Sequence, residues 1–146
     1  MTLEEVQALV DRGPYLRWLG LKILALGDDS IEAKASWREE WVANPRLMQT
    51  HGGILAALID FAADFALVSS LGRPVPTIDM RVDYHRLAKP GDLTVKGKVV
   101  KSGRQFSVSE ARVYDQAGAL IASGRAVYVT SPPPEAARQK EEPHGG

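Results

Sequence analysis

The chain has 146 residues, 45% of them apolar and 25% charged, the size and balance of one globular domain able to bury a core. Lysine plus arginine equals aspartate plus glutamate at 18 each, so net charge gives no reason to expect nucleic acid or an anionic membrane as partner. Cysteine is absent, which excludes disulfides, thiolate metal sites and a cysteine nucleophile together.

Thr2 is suited to cap a helix over residues 3 to about 11, with Glu4 and Glu5 near its positive end and Val6, Leu9 and Val10 as its apolar stripe. Gly13 and Pro14 end it. These opening residues lack the basic start and continuous apolar core of a secretion signal, and a soluble cytoplasmic protein is expected. Residues 21–26 and 30–37 read as strands joined by the turn Gly27, Asp28, Asp29. Residues 38–49, which include Asn44 and Pro45, fit no period and read as an irregular loop with a short helical turn.

Residues 50–71 are the longest apolar run, and apart from Asp60 and Asp64 every position from 54 to 68 is aliphatic, aromatic or alanine. A helix without a wide polar face is one that other structure wraps. Its apolar part reads as too short, and with two acids too polar, to span a bilayer. Gly72, Arg73 and Pro74 close it.

From Thr77 the period changes to two, with Ile78, Met80, Val82 and Tyr84 on one face of a strand. Pro90, Gly91 and Asp92 turn the chain into a second alternating strand, and Ser102, Gly103 and Arg104 turn it into a third over residues 106–114. There Glu110 falls in phase with Phe106 and Val108, which predicts a bulge near Ser109. Residues 115–118 turn into a last strand whose face of Leu120, Ala122, Gly124, Ala126 and Tyr128 is small enough for a helix to approach closely. The layout is α+β, with a curved antiparallel sheet of about five to six strands, a meander after the helix, wrapped around one long central helix. A single domain over residues 1–130 and a mobile, proline- and charge-rich tail over 131–146 are expected.

At the start of the central helix, Thr50 or His51 can cap, while Gly52 and Gly53 leave main-chain N–H groups bare at the positive end of the helix dipole. That is a place for a carbonyl oxygen that becomes an oxyanion. His51 itself reads as a cap or as a base. Asp60 follows His51 by nine residues, about 13 Å along the helix axis, too far to act on a carbonyl held by Gly52 of its own helix. Two such helices packed antiparallel across a twofold axis would bring each Asp60 to the partner's glycine corner, and Gly53, Ala56, Ala57, Ala63 and Asp64 leave room for that approach. Leu58, Ile59 and Phe61 surround Asp60 with apolar bulk, and Asp64 shares its polar slot in a supporting role. The histidines His51, His85 and His144 lack metal-site spacing, and no serine-hydrolase elbow, phosphate-binding loop or dinucleotide fingerprint occurs. No metal or cofactor is expected.

HGGILAALID, over residues 51–60, resembles the HGG-x-x-x-A-L-x-D segment of the hot-dog-fold thioesterases, in particular the phenylacetate-degradation (PaaI-type) group. TIDMRVDYHRLAKPGDL and VVKSGRQFSVSEARVYDQAGALIASGRAVYV are similar to the strands that follow in that group. The resemblance implies a hot-dog fold, a homodimer as the minimal active unit, often paired into a tetramer, and hydrolysis of acyl-CoA thioesters without a metal. It implies that Gly52 polarises the thioester carbonyl, that Asp60 attacks or activates water from the opposite subunit, and that Thr77 helps hold the water or the acid. Asn44 would orient the water, although here it stands seven residues before His51 where the family often has six, and Gln49 is an alternative. Gly53, Ala56, Ala57, Phe61 and Asp64 would line the acyl pocket, and Lys89, Lys101 and Arg104, at or near turns, would meet the CoA phosphates. A hydratase or dehydratase of the same architecture, or a non-catalytic acyl-CoA-binding module, is the alternative.

Overall fold

The computed structural model describes residues 1–134, so the expected tail lies, from residue 135 on, outside the described residues. Helix α1 (Leu3–Arg12) starts in a capping box: the Thr2 hydroxyl accepts from Glu5 N–H at 3.2 Å and the Glu5 carboxylate accepts from Thr2 N–H at 2.8 Å. Its Val6 and Val10 are buried. Gly13 ends α1, and Pro14 opens a short second helix, α2 (Pro14–Trp18), at the first position, where no donor is needed.

Strands β1 (Leu21–Leu26) and β2 (Ser30–Ala35) pair antiparallel. β2 stops two residues short of the expected end because Ser36 N–H turns back to the Gly20 carbonyl and Trp37 N–H donates to Asp92 Oδ1 at 2.8 Å. The loop expected over 38–49 contains its helical turn, a 3-10 turn over Glu39–Trp41. It also holds a small hairpin of β3 (Val42–Asn44) and β4 (Gln49–Thr50), too short to carry a period.

Helix α3 (Gly52–Leu71) runs 20 residues and closes on Gly72 in the left-handed conformation, φ 72°. By length and composition alone it is long and apolar enough to cross a membrane, which corrects the argument from shortness. Leu58, Ile59, Ala62 and Ala66 are nonetheless fully buried and α3 contacts β2 and all four later strands, the setting of a core helix.

Those later strands are β5 (Thr77–Tyr84), β6 (Leu93–Lys101), β7 (Phe106–Tyr114) and β8 (Leu120–Val129). The sheet order is β1-β2-β6-β7-β8-β5, every neighbouring pair antiparallel. The meander is thus only β6-β7-β8. β5 pairs with β8 at the far edge, and the turn at Pro90, Gly91 and Asp92 is the landing of a crossover, not a hairpin. On the way, buried Ala88 accepts the Thr50 N–H at 2.8 Å, so the crossover passes the start of α3.

Two glycines set how closely helix and sheet approach. A Cβ on Gly97 would collide with the Ala62 carbonyl, and one on Gly124 would stand 2.6 Å from Ile59 Cγ2, in keeping with the small face read on β8. β7 needs no bulge at Ser109. Its inner face is Ser107, Ser109, Ala111 and Val113, all buried, and Phe106, Val108 and Glu110 point outward together. The register instead slips in β6, between Val99 and Lys101. β5 departs most from the expected pattern: its register shifts between Thr77 and Asp79, and Ile78 and Tyr84 are about half exposed while Met80 and Val82 are partly covered. An edge strand has a neighbour on one side only, so alternation overstates its covering. Six antiparallel strands packed around one long helix make an α+β hot-dog fold.

Candidate active site

The corner before α3 is capped by His51, not by Thr50. His51 holds an extended backbone, φ −60° and ψ 136°, and its Nδ1 accepts from Gly53 N–H at 2.8 Å. This corrects the expectation of two bare amides, because the Gly53 N–H is taken by the cap and the Gly52 N–H is the one the cap leaves. The same bond occupies the Nδ1 lone pair that a basic His51 would use. The Gly52 carbonyl accepts from the Tyr84 hydroxyl at 3.0 Å, and the missing side chain admits that ring, since a Cβ on Gly52 would stand 3.3 Å from it. Buried Thr50 keeps its hydroxyl without a hydrogen-bond partner among the described residues.

Two turns further along, Asp60 is partly buried, and its Oδ1 accepts from the Thr77 hydroxyl at 2.8 Å and from the Tyr128 hydroxyl at 3.1 Å. Tyr128 also reaches the Asp60 main-chain carbonyl at 3.0 Å. Thr77 is brought by the first residue of β5, and Tyr128, itself fully buried, by the end of β8, its direct partner in the ladder. Burial pushes the Tyr128 hydroxyl above the ordinary tyrosine range, with the charges of Asp60 and Asp64 adding to it, so it remains a donor.

Asp64 lies one turn beyond Asp60. Its Oδ1 accepts Val75 N–H at 2.9 Å, tying the helix to the connection that leads into β5. Burial raises its carboxyl from 3.8 to about 7; the Val75 hydrogen bond opposes the rise, the Asp60 charge adds to it, and Arg73 opposes it.

The remaining expected residues scatter. Asn44 Oδ1 accepts the N–H groups of Arg46 at 2.9 Å and Leu47 at 3.4 Å, so its side-chain oxygen closes the turn after β3 and is not free to orient a water. Phe61 is 4% exposed and packs against Phe65 in a tilted ring pair at 4.7 Å between centroids, which puts it in the core, whereas Ala56 and Ala57 are partly open. Lys89 donates to the Leu47 carbonyl at 3.3 Å, near the start of α3. Lys101 and Arg104 are exposed at the opposite end of the sheet, where Gln105 accepts the Thr130 N–H two residues after Tyr128. Among the described residues no group of three metal-binding side chains is brought together. The sequence reading missed Tyr128 and Tyr84. In the sequence Tyr128 is only the large member of a small face, and the available signal is a hydroxyl at the end of a face that packs on an acid-bearing helix.

A six-stranded antiparallel sheet packed around one long helix is the architecture of the hot-dog thioester hydrolases. The family model of the thioesterase superfamily matches residues 49–122, and the chain belongs to that superfamily. It is 33% identical over 129 residues to VNG_1336C of Halobacterium salinarum, an esterase by name, covering 85% of each chain. It is 25% identical over 132 residues to the medium/long-chain acyl-CoA thioesterase YigI of Escherichia coli, covering 80% of this chain and 84% of that one. A crystal structure of another protein of the thioesterase superfamily superposes with a TM-score of 0.85 at 49% identity, over 87% of this chain and 96% of the other.

Proposed function

We propose that this protein is an acyl-CoA thioesterase whose active site is shared between two copies of the chain. The observation that carries the proposal is the position of β5. Its first residue, Thr77, bonds the Asp60 carboxylate, its last, Tyr84, bonds the Gly52 carbonyl, and no strand among the described residues pairs with its outer edge. Pairing two such edges antiparallel, about a twofold axis near Met80 and Arg81, sets Thr77 of one copy opposite Tyr84 of the other. Asp60 of each copy then approaches Gly52 of its mate, which the helix spacing forbids within one chain. Half-exposed Ile78 and Tyr84, on the edge to be covered, favour the same arrangement. The two cationic groups also converge, because Lys89 lies at the Gly52 end of the chain and Lys101 and Arg104 at the Asp60 end, so both would flank one shared site. Partly open Ala56 and Ala57 would take part of the acyl chain, and the name of the Escherichia coli relative supports an acyl-CoA substrate.

In this site the thioester oxygen sits on the Gly52 N–H, which gains strength as negative charge develops there. Asp60 accepts a proton from water while the water oxygen bonds to the carbonyl carbon, or adds to that carbon directly and is released by water in a second step. In either course the C–S bond breaks and the electron pair leaves on the CoA sulfur, which takes up a proton. Proton transfer and oxyanion stabilisation both come from protein groups, so the reading needs no cofactor. It places the protein in the cytoplasm, where CoA esters are available, as a dimer or a pair of dimers.

The test is a free-thiol assay over aromatic, short-chain and medium-chain acyl-CoA esters. Thiol release that saturates with at least one ester is expected. Addition of water across an enoyl-CoA without thiol release would point to a hydratase, and binding without turnover to an acyl-CoA-binding module.

A further inference from the structure

Asp60 has two carboxylate oxygens, and the fold treats them differently. Oδ1 takes the Thr77 hydroxyl at 2.8 Å and the Tyr128 hydroxyl at 3.1 Å, whereas no donor among the described residues reaches Oδ2. Thr77 is exposed at the sheet edge and Tyr128 is fully buried, so the two donors grip the same oxygen from the solvent side and from the core side. Tyr128 is itself held on several sides. It is paired in the ladder with Thr77 on one side and Ser107 on the other, and its hydroxyl touches the Asp60 main chain as well as its side chain. A rotation of the Asp60 carboxylate would have to break both hydroxyl contacts at once.

We infer that Tyr128 is a positioning residue for Asp60: with Thr77 it locks Oδ1 and leaves Oδ2 as the oxygen that meets water or the thioester. This rests on the reading of Asp60 as the catalytic acid of a thioesterase. A tyrosine hydroxyl has one proton and here two acceptors, so binding and turnover can move that proton between the Asp60 main-chain carbonyl and Oδ1. When it is on Oδ1, that oxygen is held and the free oxygen is aimed. The titratable groups that interact with Asp60 among the described residues are Asp64 on the same helix and Tyr128 on β8, with Arg73 acting on Asp64. The inner faces of β6 and β7 bring no titratable side chain.

The test compares Tyr128→Phe, Asp60→Asn and the double variant in steady-state thiol release, with thermal melting as the check on folding. Tyr128→Phe is expected to lower kcat by about 10- to 100-fold and to change KM by less than about threefold. In the Asp60→Asn background the same change is expected to have no further effect, because a residue that acts through Asp60 has nothing left to position. Wild-type kcat in Tyr128→Phe, or an equal loss in both backgrounds, would overturn the assignment while leaving the thioesterase reading intact. Near-normal turnover by Asp60→Asn would overturn that reading, and this assignment with it. Should Tyr128→Phe fail to fold, NMR of the Tyr128 hydroxyl proton in Asp60→Asn serves instead: a changed resonance supports the bond to the side chain, and an unchanged one overturns it.

Discussion

Thr77 donates its hydroxyl to Asp60 Oδ1 at 2.8 Å from the first residue of an edge strand. The carboxylate is therefore oriented at a margin of the sheet, the β5 edge. A carboxamide keeps the size of the group and an oxygen for the Thr77 hydroxyl but has no basicity. Asp60→Asn is expected to lower kcat about a thousandfold without changing the melting temperature or the assembly, which thiol-release kinetics beside thermal melting would check.

Asp64 makes a second, different prediction. Its carboxyl has a folded value of about 7 against an ordinary 3.8, so between those limits the folded state holds more protons than the unfolded state. Stability from this group is therefore greatest below about pH 4, falls as pH rises, and is lost above about pH 7, a span on the order of 2–4 kcal/mol. Asp64→Asn keeps an oxygen for Val75 N–H and removes the charge. Chemical denaturation from pH 4 to 8 is expected to show a flatter profile for the variant, with the variant the more stable protein at pH 8. A wild-type-like slope would contradict the burial of an ionisable group there.

Gly97 is the tightest helix–sheet contact, its missing side chain facing the Ala62 carbonyl. Main chain on both sides cannot yield as a flexible side chain can. Gly97→Ala is expected to destabilise the fold by about 2–3 kcal/mol, read as a lower denaturant midpoint with an unchanged slope.

The sequence carried the core helix well, because an apolar run ending at Gly72 admits one structure. It carried β6, β7 and β8 nearly to the residue, since tight turns bound each. It did not carry the partner of β5: Pro90, Gly91 and Asp92 look the same in a hairpin and at the end of a crossover, and only the sheet order distinguishes them. Nor did it carry the state of Gly53, whose amide is claimed by a histidine two residues away, or the use of Asn44, whose oxygen a local turn consumes. Thr77 was reached through family resemblance, while Tyr128 needed the register that puts it opposite Thr77.

The open edge of β5 yields a prediction on assembly. Ile78 is about half exposed in the single chain, so a charge there leaves each folded chain intact and disfavours burial against another. Ile78→Lys is expected to shift the protein toward monomer in analytical ultracentrifugation and to lose turnover in proportion to the lost dimer.

The central claim, that each site takes Gly52 from one chain and Asp60 from the other, is tested most directly by mixing two inactive variants. Gly52→Pro removes the helix-start N–H at a position where proline suits both the helix and the extended backbone of His51, and asks the exposed Tyr84 ring, 3.3 Å from the new Cβ, to give by a few tenths of an ångström. Asp60→Asn removes the acid. Each alone is expected to be inactive, whereas chains unfolded and refolded together form mixed dimers in which one site of two is intact. Statistical mixing makes about half the dimers mixed, so recovery of about one quarter of wild-type turnover is expected. Mixed dimers that form, as native mass spectrometry would show, yet remain inactive would contradict the shared site.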